Sequence, residues 1–394
     1  MPAVTVAPST GSRPAGVAVR WRLPVLAAAG TALLGGLWAA LLLLGVTVPT
    51  PGSPIEDVHG PVMVFGFVGT LIALERAVAA GRRVALLAPA CSAAGGLVLL
   101  AAGSSLPGKL LLMGGAVGLL GVYRTLWGRQ QSVALLAQAA GAVAWYAVTL
   151  LWLGGLPIPD VVPWMAVFVV ATIAGERLEL AHVGLATAAA ERWFLAALAA
   201  LIAGATAAIV WPRPGTPLFG MALLAVTGWL AVFDVARRTI RGTALPRYIA
   251  AGLLAGYAWL VLAGLLWAGN GPVAAGNRYD ATLHAVFLGF TLSMIFVHAP
   301  VILPAVLRRP LPYHPVLYLP LALLHVSLAA RVGLGDAFGL EQVWRWSGVA
   351  NVASVLVFLG CAVTLSATHR RRRTEPARQR LAGASLIDPG PARR

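Results

Sequence analysis

Six of the seven histidines lie in or beside long apolar runs, at positions 59, 182, 284, 298, 314 and 325; His369 sits in an arginine-rich tail. An ionisable group inside apolar sequence carries a desolvation cost, so each is a candidate for chemistry. His59 follows Glu56 and Asp57, and His284 follows Asp280. A carboxylate beside a histidine fixes its tautomer and strengthens it as a ligand. Two such histidines at one depth on different helices suit a haem iron or copper, because imidazole serves both. The competing reading is a pair of interfacial histidines bonded to their neighbours. His59 precedes Phe65-Gly66-Phe67 and His284 precedes Leu288-Gly289-Phe290. In such an echo glycine would let a flat macrocycle approach, and phenylalanine would cover its face.

His298 falls fourteen residues after His284, about 21 Å further along a helix. It is a metal-ligand candidate beside His59 and His284. His325 lies mid-run and would replace one of the cofactor-binding pair if its neighbouring helix is tilted. For both, interhelical hydrogen bonding is the alternative. His314 lies between Pro312 and Pro315 and reads as loop. Glu176, Glu179 and His182 recur every third residue and share a helix face. Glu-x-x-His is half of a di-iron carboxylate motif; the other half is absent, although Glu75 could add a carboxylate. The alternative is weak pairing of Glu75 and Glu176 with Arg76 and Arg177.

The elements that must position these groups are membrane spans. Of 394 residues, 59% are hydrophobic and 11% charged, against about 45–50% and 25% in soluble domains. A span needs roughly 20 apolar residues. Twelve runs qualify, at 23–46, 58–79, 84–104, 107–123, 132–153, 161–182, 193–211, 217–236, 248–268, 282–305, 315–334 and 344–366. The expected fold is an all-α polytopic bundle of twelve helices at 23–366, flanked by disordered tails at 1–22 and 367–394.

With the N-terminus inside, 24 of the 29 basic residues fall on the inner side. That split predicts both termini in the cytoplasm, in a bacterial cytoplasmic membrane. The net charge of +16 is then a topology signal, and the expected partner is the lipid bilayer rather than nucleic acid. Cys91 and Cys361 are the only cysteines, which excludes a disulfide framework and a CxxCH haem attachment. There is also no Walker loop, GxGxxG, HExxH or GxSxG motif. Pro61-Val62-Met63 before Thr70 and Glu75-Arg76 is echoed by Pro163-Trp164-Met165 before Thr172 and Glu176-Arg177.

The tenth run, Leu283-His284-Ala285-Val286-Phe287-Leu288-Gly289, then Met294 and Arg309-Pro310-Leu311, resembles the NnrS family. That family carries His-Ala-x-x-x-Gly at a span start and Gly-Arg-Pro-Leu in the loop that follows. The second run, His59-Gly60-Pro61-Val62-Met63-Val64-Phe65-Gly66-Phe67, is similar to the family's His-Ala-His-Glu-Met-x-Phe-Gly-Phe. The resemblance implies a haem- and copper-containing membrane protein linked to nitric oxide stress, with His59 and His284 as ligands. The family's second histidine and glutamate are Pro61 and Val62 here, and its loop histidine is Val306. These departures remove copper donors before haem donors. Two further classes remain. A twelve-span secondary transporter of major-facilitator type is one, since Glu75-Arg76 and Gly81-Arg82-Arg83 supply parts of that loop motif. A membrane enzyme using the Glu/His cluster is the other.

Overall fold

The computed structural model describes residues 19–50, 52–181 and 187–385, and all regular structure among them is helical. Among the described residues twelve helices are long and apolar enough to cross a membrane. They are α1 (Val19–Leu43), α2 (Ile55–Ala80), α3 (Arg83–Ala102), α4 (Leu106–Trp127), α5 (Val133–Leu153) and α6 (Ile158–Leu180). There follow α7 (Ala188–Val210), α8 (Pro212–Phe233), α9 (Ala244–Asn270), α10 (Asn277–Leu307), α11 (Pro315–Asp336) and α12 (Glu341–His369). Each expected run falls in its own helix. Boundaries shift by a few residues where capping rather than hydropathy sets the end.

Proline opens α8 at Pro212 and sits at the start of α4 as Pro107, where its missing N–H costs nothing. Thr187 caps α7 through its hydroxyl, which accepts from the Ala190 amide at 3.2 Å. Gly81 ends α2 in the left-handed region, at φ +71°. The backbone of the last helix continues to Ser385, into the stretch from 367 expected to be a tail. Its Arg, Ala and Gln are good helix formers. Likewise α1 begins at Val19, inside the expected N-terminal tail.

The chain forms two compact units. The first holds α1 as far as Gly36 together with α2, α3 and α4. Here α3 and α4 form an antiparallel pair, and α2 crosses α3 where Gly66 meets Gly96. A Cβ on Gly66 would stand 3.0 Å from the Gly96 Cα, so small residues set this crossing. Ser92 secures it by donating to the Phe65 carbonyl at 2.7 Å.

The second unit holds Leu37–Gly52 and everything from Val133 onward. It is built from the pairs α5–α6 and α7–α8, with α9 against α8 and α10, and α11 against α12. Aromatic rings fill its interior, among them Trp145 on Phe168, Trp229 on Phe194, and Phe296 stacked on Phe358 at 4.1 Å.

Three stretches depart from α geometry into the wider π-helix: Val62–Gly69 in α2, Ala285–Leu292 in α10 and Arg331–Asp336 in α11. π-turns are rare and concentrate at functional sites. Two of them cover the Gly-Phe pairs of the histidine echo. The proline–threonine echo also has a shared local form: Thr70 and Thr172 each donate to the carbonyl four residues back, at 2.7 and 2.8 Å.

Candidate functional site

His284 sits one residue before the π stretch of α10. Its Nδ1 lies 2.9 Å from the Asp280 main-chain oxygen and 3.2 Å from the Asp280 carboxylate. Both partners only accept, so Nδ1 carries a proton. Asp280 is itself tied down. Arg331 of α11 grips it with two bonds, Nε at 2.8 Å and Nη2 at 2.7 Å. The Trp344 indole of α12 donates to it at 3.1 Å, and the Arg331 guanidinium lies 5.2 Å from the centre of that ring. Three helices thus converge to fix one imidazole, the outer-sphere arrangement that orients a ligating histidine.

His59 belongs to the first unit and stands at the corresponding place in α2, three residues before its π stretch. Its Nδ1 meets the Gly36 carbonyl of α1 at 2.9 Å. This tautomer matches that of His284, with a main-chain oxygen as the partner.

His325 has both ring nitrogens engaged. The Trp259 indole can only donate, so Nδ1 accepts from it at 3.0 Å and Nε2 carries the proton. That proton faces Ser293 Oγ at 3.2 Å, and Ser293 donates onward to the Gly252 carbonyl at 2.9 Å. His325 therefore links α9, α10 and α11 as an interhelical hydrogen-bond centre. It reaches α10 between His284 and His298. His298 donates from Nδ1 to the Met294 carbonyl at 2.8 Å. Among the described residues no group of three or more His, Cys, Asp and Glu side chains is placed to share a metal ion.

The glycines and phenylalanines after the two histidines pack protein rather than lining an open slot. A Cβ on Gly289 would come within 2.3 Å of the Trp259 ring, and Phe290 is fully buried against Tyr257. Gly66 serves the α2–α3 crossing described above.

Of the Glu/His cluster, Glu75, in the first unit, pairs with Arg76 at 2.9 Å. Glu176 is half-buried and Glu179 exposed, and His182 lies outside the described residues. Arg177, between them, is buried and faces Asp234, the residue that closes α8. Asp234 accepts from the Tyr257 hydroxyl at 2.8 Å and from the Ala236 amide at 2.7 Å. Asp234, Arg331, Asp336 and Trp344 escaped the sequence reading. The signal was there: Asp234 and Arg331 are charges inside the expected runs 217–236 and 315–334.

Twelve apolar helices with ionic clusters buried between them define a multi-pass membrane protein. The chain belongs to the family described as a domain of unknown function, DUF8744, whose model matches residues 22–367, from the first span to the last. No curated protein matches the sequence.

Proposed function

We propose that the protein binds haem within a bacterial cytoplasmic membrane, that His284 in the second unit and His59 in the first each serve as a haem ligand, and that its role is redox or small-gas handling of the NnrS kind. One observation carries this reading. Each histidine stands at the head of a π-helical stretch with Nδ1 held 2.9 Å from a main-chain carbonyl, which turns Nε2 into the ligating atom. An imidazole suffices as a protein ligand to a haem iron.

When bound, the haem supplies one-electron and gas-binding chemistry. The chain's own part is to hold and tune. Asp280 holds the His284 proton on Nδ1, and Arg331 with Trp344 satisfies the Asp280 oxygens. His325, saturated by Trp259 and Ser293, holds α9, α10 and α11 in register.

The test is an optical spectrum of protein expressed with haem and copper supplied. A Soret band is expected, abolished or strongly shifted by His284→Ala and by His59→Ala, and unchanged by His314→Ala. Well-folded protein without haem would refute the reading and leave transport as the leading function.

A further inference from the structure

A cavity of about 170 Å³ lies in the second unit where α6, α8 and α10 begin and α7 and α9 end. Successive spans alternate in direction, so these ends share one boundary of the membrane. Asp160 is the third residue of α6 and Tyr279 the third of α10, each about 3 Å along its helix. Both therefore stand at the rim. Val162 and Leu283 follow deeper on the same two helices, Thr216 faces them from the second turn of α8, and Leu266 and Trp267 close the wall from α9.

The polar groups of this lining are unspent. Asp160 is exposed, and its carboxylate makes no hydrogen bond or ion pair among the described residues. It acts electrostatically on the Tyr279 hydroxyl, which is half-buried and likewise makes no hydrogen bond there. Thr216 is 5% exposed, yet its hydroxyl has no partner among the described residues. Thr282, at the same cavity, spends its own on the carbonyl four residues back. A buried hydroxyl left unpaired carries a desolvation cost that a ligand can remove. The Trp267 ring is fixed by Phe219, which it meets edge-to-face at 4.9 Å. Among the described residues no arginine or lysine lines the cavity, so nothing within it neutralises Asp160.

We propose that this cavity binds a small primary amine, in its ammonium form, from the aqueous phase. An ammonium has three N–H donors. One makes a charge-assisted bond to Asp160, and the others go to the Tyr279 and Thr216 oxygens. The hydrocarbon part lies against Val162, Leu266 and the Trp267 ring, whose face also favours a cation. A cavity of about 150 Å³ accepts benzene, which sets the ligand at about six to eight non-hydrogen atoms. A quaternary ammonium has the charge but no N–H to give, and a carboxylate would be repelled by Asp160. The site uses none of the histidines and does not depend on haem.

The experiment titrates the full-length protein in phosphatidylcholine nanodiscs with pentylammonium, followed by saturation-transfer NMR with empty discs as the blank. Pentan-1-ol is the uncharged isostere, and propyltrimethylammonium is the cation without N–H. The amine should bind about tenfold more tightly than either. Asp160→Asn should weaken it about tenfold, the low end for a charge-assisted bond because Asp160 is exposed. Tyr279→Phe should weaken it about threefold. Glu341→Gln removes the same charge at the same boundary, at the start of α12 and outside the cavity, and should change nothing. Equal affinity for the amine and either control overturns the proposal, as does an Asp160→Asn variant that binds like the wild type. A loss in Glu341→Gln as large as in Asp160→Asn overturns it too, by reducing the effect to surface charge. Discs containing phosphatidylethanolamine should give the same affinity; competition there would assign the site to a lipid headgroup and overturn the soluble ligand.

Discussion

Replacing Arg331 with Met is the most informative perturbation of the His284 cluster. It deletes two charge-assisted bonds, at 2.8 and 2.7 Å, and a stacking contact at 5.2 Å with Trp344. The Arg331 side chain is 7% exposed, so water does not step in. Removing one partner of a buried ion pair costs about 3–5 kcal/mol, because the other charge is left stranded. Asp280 retains the Trp344 indole at 3.1 Å and the His284 ring at 3.2 Å, which places the expected cost near the low end, about 3 kcal/mol. That is roughly a hundredfold in the folding equilibrium. Arg331→Lys keeps the charge but not the planar fork, and should cost about 1 kcal/mol. The double variant Asp280→Leu with Arg331→Met removes both charges and should be more stable than either single variant. Equilibrium unfolding of purified protein in mixed detergent micelles measures all four. A loss below about 0.5 kcal/mol for Arg331→Met, the scale of an exposed pair, would refute the claim that this cluster is an enclosed ionic clamp. So would a double variant as weak as the sum of the singles.

Gly289→Ala should lower the unfolding midpoint by the equivalent of about 1–3 kcal/mol, since its methyl group would strike the Trp259 ring at 2.3 Å. Gly360→Ala, with nothing within 4 Å, should be neutral or slightly stabilising in the same thermal melt. Reporter fusions should read cytoplasmic after Thr364 and external at Gly276; an external reading at the C-terminus would mean an odd number of spans.

The twelve spans were legible because membrane insertion is decided by run length and apolarity, both local properties. The pairing of His284 with Asp280 was legible for a related reason: a histidine in apolar sequence stands out, and Asp280 one turn earlier is a natural partner. What stayed hidden depends on where helices meet. Arg331 reads in the sequence as one more topology charge, yet it clamps Asp280 from fifty-one residues away. The Glu176–Glu179–His182 spacing suggested a shared face; between the two glutamates the buried charge is Arg177, which faces Asp234 of another helix. For His325 the sequence left a ligand and an interhelical hydrogen-bond centre both open, because nothing local engages it. Trp259 and Ser293 reach it from α9 and α10. The Gly-Phe echo was visible, but a reading at 3.6 residues per turn has no place for a π-helix.

The wide turns of Ala285–Leu292 change the phase of α10. Adding one residue to an α-helical turn rotates everything beyond it by about 100°. The two ends of α10 are therefore indexed separately: His284 is aligned by the upstream turn, while Ser293, Met294 and His298 take their bearing from the offset. Ser293 reaches His325 and the Gly252 carbonyl only in this offset setting. The echo in α2 then gains a meaning beyond composition. Both units of the chain carry, within three residues of a carbonyl-anchored histidine, the same mechanical vernier, and a one-residue deletion in either would keep the span and its hydropathy while turning its lower half to face the wrong neighbours.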